Sequence, residues 1–173
     1  RDLRMSRGLG DVYKRQAVVA VMCLCEVAAY CKKNGITLWD QMLKIYEEYG
    51  YFKEGLHTIT MKGVTGAQAI KDIMAALRKN PAKELAGLKV LKVRDYDADV
   101  VTDMATGEKS STGLPKSNVL YFDLENDSWC CARPSGTEPK IKFYMGVKGT
   151  SLQDSEEKLE ALKNAVLAMI PEV

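Results

Sequence analysis

Residues 128–147 read SWCCARPSGTEPKIKFYMGV, and this stretch decides the fold of the C-terminal half. Its end, residues 141–147, alternates apolar and polar side chains, which is the period of a strand with one buried face. The predicted inward set is Ile141, Phe143, Met145 and Val147. A second strand-like run covers 128–132, so segment 133–140, which contains Pro and Gly, is predicted to join two strands as a hairpin.

Further strands and helices are predicted around this hairpin. Strand patterns cover 57–61, 88–93 and 119–124. Capping signals at Thr65 and at Thr150 or Ser151 each begin an amphipathic helix. The order of strand, helix, several strands and helix predicts an α+β fold, with a C-terminal antiparallel sheet and its helices packed on one face.

The N-terminal part reads as a helical hairpin. Residues 17–30 form an apolar run, and we interpret 17–34 as a buried helix that ends at Gly35. A second helix begins at Thr37, with Asp40 as its capping-box partner. About 40 residues are too few to bury the apolar face of such a hairpin on their own. The apolar run is shorter than the ~20 residues that cross a bilayer, so no membrane partner is predicted.

Composition excludes several classes of site. The chain has 173 residues, a formal charge of +2 and 46% hydrophobic residues, which is typical of a globular protein without a strong electrostatic field. Its single histidine, His57, leaves no multi-histidine metal site, and we interpret it as structural. Five cysteines occur without a CxxC pair, which predicts reduced thiols that fill core space in a cytoplasmic protein.

Residues 1–16 differ from the rest of the chain in composition and periodicity. Residues 1–16 hold five Arg or Lys and two Gly without sustained periodicity, and the chain begins with Arg1 rather than Met. We interpret them as a disordered or artefactual arm ahead of a fragment. A nucleic-acid-binding arm is the alternative, but two Asp offset the basic charge, so no nucleic-acid partner is predicted.

Segment 133–140 carries the chemistry. Arg133 offers a planar fork that can bind two oxygens of a phosphate, and Ser135 and Thr137 add hydroxyl donors. Gly136 permits a positive φ, which would turn backbone N–H groups inward as an anion nest, and Lys142 adds positive potential. Composition alone leaves open a plain polar turn in which Ser135 and Thr137 satisfy their own backbone.

Two acidic features remain to be interpreted. Glu138 is unfavourable beside an anion, so we expect it to pair with a lysine or to accept from a sugar hydroxyl. Residues 95–99 read DYDAD, but Val100 and Thr106 stand where an EF-hand needs Gly and Glu. This segment is therefore interpreted as a solvated loop rather than a calcium site.

Residues 133–144, RPSGTEPKIKFY, closely resemble the phosphate-binding loop of the α-D-phosphohexomutases, the phosphoglucomutase and phosphomannomutase superfamily. The resemblance extends over 17–170 and implies a C-terminal fragment of such an enzyme. It implies that 17–55 are the closing helices of the family's third, α/β domain. It also implies that 56–173 are the complete fourth, phosphate-binding domain.

The resemblance implies an isomerase of carbohydrate metabolism, an intramolecular phosphotransferase that interconverts hexose 1-phosphate and hexose 6-phosphate. In such enzymes a phosphoserine, a Mg²⁺ ion and a sugar-reading loop lie in earlier domains, and a hexose bisphosphate is the intermediate and activator. Carried over by motif, the residues that bind the substrate phosphate are Arg133, Ser135, Gly136, Thr137 and Lys142.

This chain lacks the serine loop, the aspartate-rich metal loop and the sugar loop of the family. We therefore expect no catalytic or metal-ligating residue here and no turnover from this chain alone. Its partners would be a hexose phosphate and the missing N-terminal domains of the same enzyme. The alternative is a stand-alone, non-catalytic module that binds phosphosugars.

Overall fold

The structure is a computed structural model that describes residues 16–61 and 65–170. The chain divides between Tyr49 and Gly50 into two compact units. The described helices are α1 (Gln16–Lys33), α2 (Leu38–Tyr49), α3 (Thr65–Lys79) and α4 (Leu152–Ala168). The described strands are β1 (Tyr51–Thr60), β2 (Glu84–Leu85), β3 (Leu88–Asp95), β4 (Val100–Asp103), β5 (Lys109–Ser110), β6 (Leu120–Leu124), β7 (Trp129–Pro134) and β8 (Lys140–Gly149).

The first unit contains α1 and α2, and its predicted caps are confirmed. Gly35 follows α1 with φ +68°, a left-handed conformation that glycine adopts without strain. The N–H of Thr37 donates to the Asp40 carboxylate at 2.8 Å, and the N–H of Asp40 donates to the Thr37 hydroxyl at 3.0 Å. This reciprocal pair is the capping box that the sequence predicts.

The prediction that 17–34 form a buried helix is wrong for the unit as it stands. Most apolar side chains of α1 are exposed: Val18, Val19, Val21, Met22, Leu24, Val27 and Tyr30. The hairpin is too small to bury these side chains, because two helices cannot cover each other's whole apolar surface. None of the described helices combines the length and the apolar character needed to cross a membrane.

The second unit is built on an antiparallel sheet. Its strand order is β1-β8-β7-β6-β3-β4-β5, and β2 pairs with β3 outside this path. Helices α3 and α4 pack on one face, where Ile73, Met74 and Leu162 contact the inward residues of the strands. The predicted inward set of β8 is confirmed, since Ile141, Phe143, Met145 and Val147 are all buried. The predicted α+β class with helices on one face is therefore confirmed.

Neither α3 nor α4 covers the opposite face, which we call the open face. Strand alternation and register place there Leu56 of β1, Tyr144 of β8, Cys131 of β7, Tyr121 of β6 and Arg94 of β3, in one row across the sheet. One row closer to the β7–β8 loop lie Arg133 and Lys142. Of the candidate site residues, Arg133 and Lys142 thus lie on the open face.

The expected boundaries shift in two places. The strand predicted at 57–61 already begins at Tyr51, because β1 pairs with the whole length of β8 from Tyr51 opposite Gly149 to Thr60 opposite Lys140. The proposed boundary between family domains, after residue 55, therefore falls inside β1. Of the predicted arm 1–16, residues 1–15 lie outside the described residues, while Gln16 is the first residue of α1.

Candidate anion-binding site

The loop between β7 and β8 is held at its base by backbone hydrogen bonds. The N–H of Ser135 donates to the carbonyl of Lys140 at 2.8 Å. The N–H of Met61 donates to the carbonyl of Pro139 at 2.9 Å, which fixes the loop to the end of β1. Residues between these anchors project beyond the sheet, so their polar groups face solvent.

Inside the loop, Ser135 organises the turn. Its hydroxyl accepts from the N–H of Thr137 at 3.4 Å and from the N–H of Glu138 at 3.3 Å. Both distances exceed the common 2.9–3.0 Å of an N–H···O bond, so these bonds are weak. The geometry matches the polar turn that composition left open, and it leaves donors that a charged ligand can recruit.

The expected positive φ at Gly136 is wrong. Gly136 is not among the glycines with positive φ. The Ser135 side chain closes the turn, so no left-handed residue is needed there. Gly136 contributes open space instead, because an added Cβ would meet no protein atom within 4 Å.

Arg133 and Lys142 stand directly opposite each other on β7 and β8. Like charges in directly opposed positions of an antiparallel pair destabilise the sheet. Within residues 16–61 and 65–170, neither side chain forms an ion pair with a carboxylate. The two cations therefore produce a local positive potential that no described carboxylate neutralises through an ion pair.

Neighbouring cations are neutralised, which makes this pair distinctive. Lys140 pairs with Glu138 at 3.1 Å, so the lysine partner expected for Glu138 is found. Lys148 pairs with Asp127 at 3.0 Å. Among these four cations, only Arg133 and Lys142 have no described ion-pair partner.

A depression of about 220 Å³ lies beside these two cations. Four of its lining residues were singled out from the sequence: Arg133, Ser135, Gly136 and Lys142. Thr137 is not among them, because it lines a separate depression of about 490 Å³ on the other side of the loop. The structure therefore brings four of the five predicted phosphate ligands together and turns the fifth towards α3.

Some lining residues were not among the predicted site residues. Tyr144 lines the smaller depression, and alternation along β8 places it outward beside Lys142. Lys71 and Asn118 line the larger depression, but they come from distant parts of the chain. No local sequence pattern marks either of them as close to the loop.

The acidic segment after β3 has structural partners. Asp95 pairs with Arg78 at 3.0 Å. Hydrogen bonds from Thr112, and then from Ser111, hold the pKa of Asp99 below its ordinary value. Throughout 16–61 and 65–170, no three His, Cys, Asp or Glu side chains are grouped to hold a metal ion.

The cysteines follow the core prediction only in part. Cys31 and Cys130 are buried, whereas Cys23 and Cys25 are exposed on α1. Burial raises the pKa of Cys131 to about 11, so its thiol stays protonated at neutral pH. Cys131 is therefore not presented as an activated nucleophile.

Known proteins were compared with the chain. No family model matches it. Over 147 residues it is 36% identical to a phosphoglucomutase from Staphylococcus saprophyticus, covering 85% of this chain and 26% of that protein. A phosphoglucomutase from Staphylococcus aureus strain MRSA252 is 35% identical over 151 residues, covering 87% and 27%. The open-form crystal structure of pp63/parafusin, an exocytosis-sensitive phosphoprotein and phosphoglucomutase from Paramecium, gives a TM-score of 0.48 at 15% identity, covering 88% and 26%.

Fold and loop together define an α+β domain that presents a cationic hairpin loop at one end of its sheet. The sequence identities to the two phosphoglucomutases identify its family. The chain belongs to the phosphohexomutase superfamily, as a C-terminal part of such proteins. The chain spans about a quarter of the length of the curated relatives that it matches.

Proposed function

We propose that the chain is the phosphate-binding part of a phosphoglucomutase or phosphomannomutase, in which it binds the phosphate already present on a hexose 1-phosphate or hexose 6-phosphate. One observation carries this proposal. Arg133 and Lys142 face each other across β7 and β8 without a described carboxylate to neutralise them, at the base of a loop rich in polar donors. A phosphate dianion would relieve this repulsion and gain charge-assisted hydrogen bonds.

Each residue has a distinct role in this proposal. The Arg133 guanidinium would bind two phosphate oxygens in parallel, and the Lys142 ammonium would act as a point charge. The Ser135 hydroxyl and the N–H of Gly136 would donate from the loop, where no described group accepts the Gly136 N–H. Thr137 would reach the ligand from the α3 side of the loop.

Phosphoryl transfer itself is proposed for the intact enzyme. Such transfer consists mostly of positioning and charge stabilisation, and a remote phosphate clamp holds the reacting hydroxyl in line. Mg²⁺ prefers clustered carboxylate oxygens, which the described residues do not offer, so we assign no metal ligand here. The Mg²⁺ ion, the hexose bisphosphate intermediate and the cytoplasmic location stay predictions for the intact enzyme, and this chain alone is expected to be inactive.

A stand-alone phosphosugar-binding module is the second candidate. It is favoured by one observation, that the unit from Gly50 onward has a hydrophobic core of its own. Such a module would use the same loop residues and would have no catalytic partner domains. The two candidates make the same prediction for binding and differ in whether additional domains restore turnover.

The test is a titration of the isotopically labelled chain with glucose 1-phosphate, followed by amide chemical shifts. We expect shifts confined to the segment 133–142 and its neighbours, and we expect them to disappear in Arg133→Ala. A single-stranded oligonucleotide serves as the comparison ligand, because aromatic and basic residues on an open sheet face are also the features of nucleic-acid-binding sheets.

Two results would overturn the proposal. One is an absence of shifts with glucose 1-phosphate. The other is a set of shifts spread over the open face with the oligonucleotide and absent with the sugar phosphate. A coupled mutase assay on the same purified sample checks the expected inactivity of the chain alone, and turnover in a sample free of host mutase would contradict it.

A further inference from the structure

The larger of the two depressions lies between α3 and the β7–β8 loop, and we call it the α3-side depression. Its volume of about 490 Å³ lies in the range of small-molecule sites, whereas the 220 Å³ beside Arg133 lies below it. The larger depression therefore offers more room for a sugar ring than the smaller one. The α3-side depression is lined by Ala67, Ile70, Lys71, Asn118 and loop residues 134–139.

The lining chemistry of the α3-side depression fits a polyol. Ile70 and two prolines give apolar surface, while Lys71 and Asn118 bring donors from outside the loop. Glu138 brings an acceptor, and its charge is paired with Lys140. Sugar hydroxyl groups both donate and accept hydrogen bonds, so a mixed set of donors and acceptors over an apolar floor suits a sugar better than a second phosphate.

Asn118 is held in one orientation by a chain of polar contacts. Nη2 of Arg78 donates to Oδ1 of Asn118 at 2.6 Å. Nε of the same Arg78 donates to the Asp95 carboxylate at 3.0 Å. Because arginine only donates, the amide oxygen of Asn118 must face it, and the two Nδ2 hydrogens stay available. No described group accepts them, so this amide is oriented in advance for a ligand.

Gly136 connects the two depressions. It lines both of them, as do Pro134 and Ser135. Nothing lies within 4 Å of its missing Cβ, so the space beside Gly136 is open. The two depressions therefore share the loop residues Pro134, Ser135 and Gly136.

We propose that the α3-side depression binds hydroxyl groups of the sugar whose phosphate the loop binds, with Asn118 as the residue that distinguishes a sugar phosphate from inorganic phosphate. This inference rests on the proposed function and adds a subsite to it. Lys71 supports the same subsite as a second donor from α3. Arg78 acts through Asn118 and is a positioning residue.

The test compares two ligands on the same 173-residue chain by isothermal titration calorimetry. The ligands are inorganic phosphate and glucose 1-phosphate, and the variants are Asn118→Ala and Lys71→Ala. Lys79→Ala is the matched control, because Lys79 is an exposed lysine of the same helix that does not line the depression. Loss of one hydrogen bond predicts a roughly two- to tenfold weaker affinity for glucose 1-phosphate, with the affinity for inorganic phosphate unchanged.

Each outcome decides one claim. Equal affinity of the unmodified chain for both ligands overturns the inference and leaves phosphate binding intact. Failure of the unmodified chain to bind either ligand overturns the proposed function, and the inference falls with it. Asn118→Ala could instead disturb the loop, which would lower the affinity for both ligands. Lys71→Ala then decides, and an effect no larger than that of Lys79→Ala overturns the subsite.

Discussion

Arg94 and Arg133 lie on the same open face of one sheet, and their surroundings differ. Arg94 donates two hydrogen bonds to Asp123, at 2.7 and 3.0 Å, and lies over the ring of Tyr121 at 5.9 Å. The hydrogen bond to Asp123 raises the pKa of Arg94 above its ordinary value. Arg133 has Lys142 opposite it and no described carboxylate. The ion pair with Asp123 thus marks Arg94 as an arginine that stabilises the fold, whereas the charge of Arg133 stays available for an anion.

This contrast teaches how a candidate site can be recognised. Cross-strand pairs of opposite charge contribute to sheet stability, and pairs of like charge oppose it. A protein that keeps a like-charged pair at the base of a loop accepts a loss of stability there. Under the proposed function, a bound anion compensates for that loss.

The largest effect is expected when Arg133 and Arg94 are replaced by alanine in two separate variants. Arg133→Ala should weaken glucose 1-phosphate binding by about tenfold to a hundredfold, since a hydrogen bond to a charged group is worth about 1.5–3 kcal/mol. Arg94→Ala should leave binding unchanged and lower the free energy of unfolding by about 1 kcal/mol, because a partly exposed ion pair contributes little. Calorimetry and urea unfolding of both variants measure the two quantities.

Two outcomes would contradict this comparison between Arg94 and Arg133. If Arg94→Ala lowered affinity as much as Arg133→Ala does, the open face as a whole would be the binding surface. If Arg133→Ala unfolded the domain, Arg133 would be structural, and the proposed clamp would lose its central residue.

The Arg94 end of the sheet should respond to alkaline pH. Burial, and then the charge of Asp123, raise the pKa of Tyr121 from 10.0 to about 12. The folded state therefore keeps Tyr121 neutral where the unfolded state ionises it. This contribution to stability is complete below pH 10 and is lost as the pH rises towards 12.

Replacement by phenylalanine isolates this group. In Tyr121→Phe we expect the free energy of unfolding to fall less steeply over the same alkaline range than in the unmodified chain. Urea unfolding at a series of pH values measures the slope, and absorbance of tyrosinate follows the ionisation. If the free energy of unfolding depended on pH in the same way in both proteins, the folded state would not protect Tyr121 from ionisation.

The sequence predicts the sheet better where periodicity is strong. Alternation over 141–147 identified the buried face of β8, and the Ser151 cap identified the start of α4, where Ser151 accepts from the N–H of Asp154. Strands β2 and β5 were not predicted, because two-residue strands contain no period. They form by pairing with neighbours, and pairing is a property of the folded chain rather than of a local window.

The residues of the candidate site could be predicted from the sequence, but their positions relative to one another could not. Motif reasoning selected Arg133 and Lys142, but their direct opposition depends on the β7–β8 register, which the loop geometry determines. The position of Thr137 on the other side of the loop could not be derived from its neighbours in sequence. Asn118 becomes part of the lining only because α3 and the segment before β6 pack near the loop, and such long-range packing leaves no local pattern.

The smallest expected effect is the most direct check on the like-charged pair. Lys142→Gln removes the repulsion opposite Arg133, so the free energy of unfolding should rise by a few tenths and at most about 1 kcal/mol, while phosphate affinity falls. Lys140→Gln is the matched control on the same strand, because Lys140 pairs with Glu138 and its removal relieves nothing. Urea unfolding at low ionic strength measures the difference, since the Debye length shrinks to about 10 Å at 0.1 M salt. A loss of stability in Lys142→Gln, equal to that in Lys140→Gln, would mean that the open face neutralises Lys142 after all. The contrast between Arg94 and Arg133 would then no longer indicate a binding site.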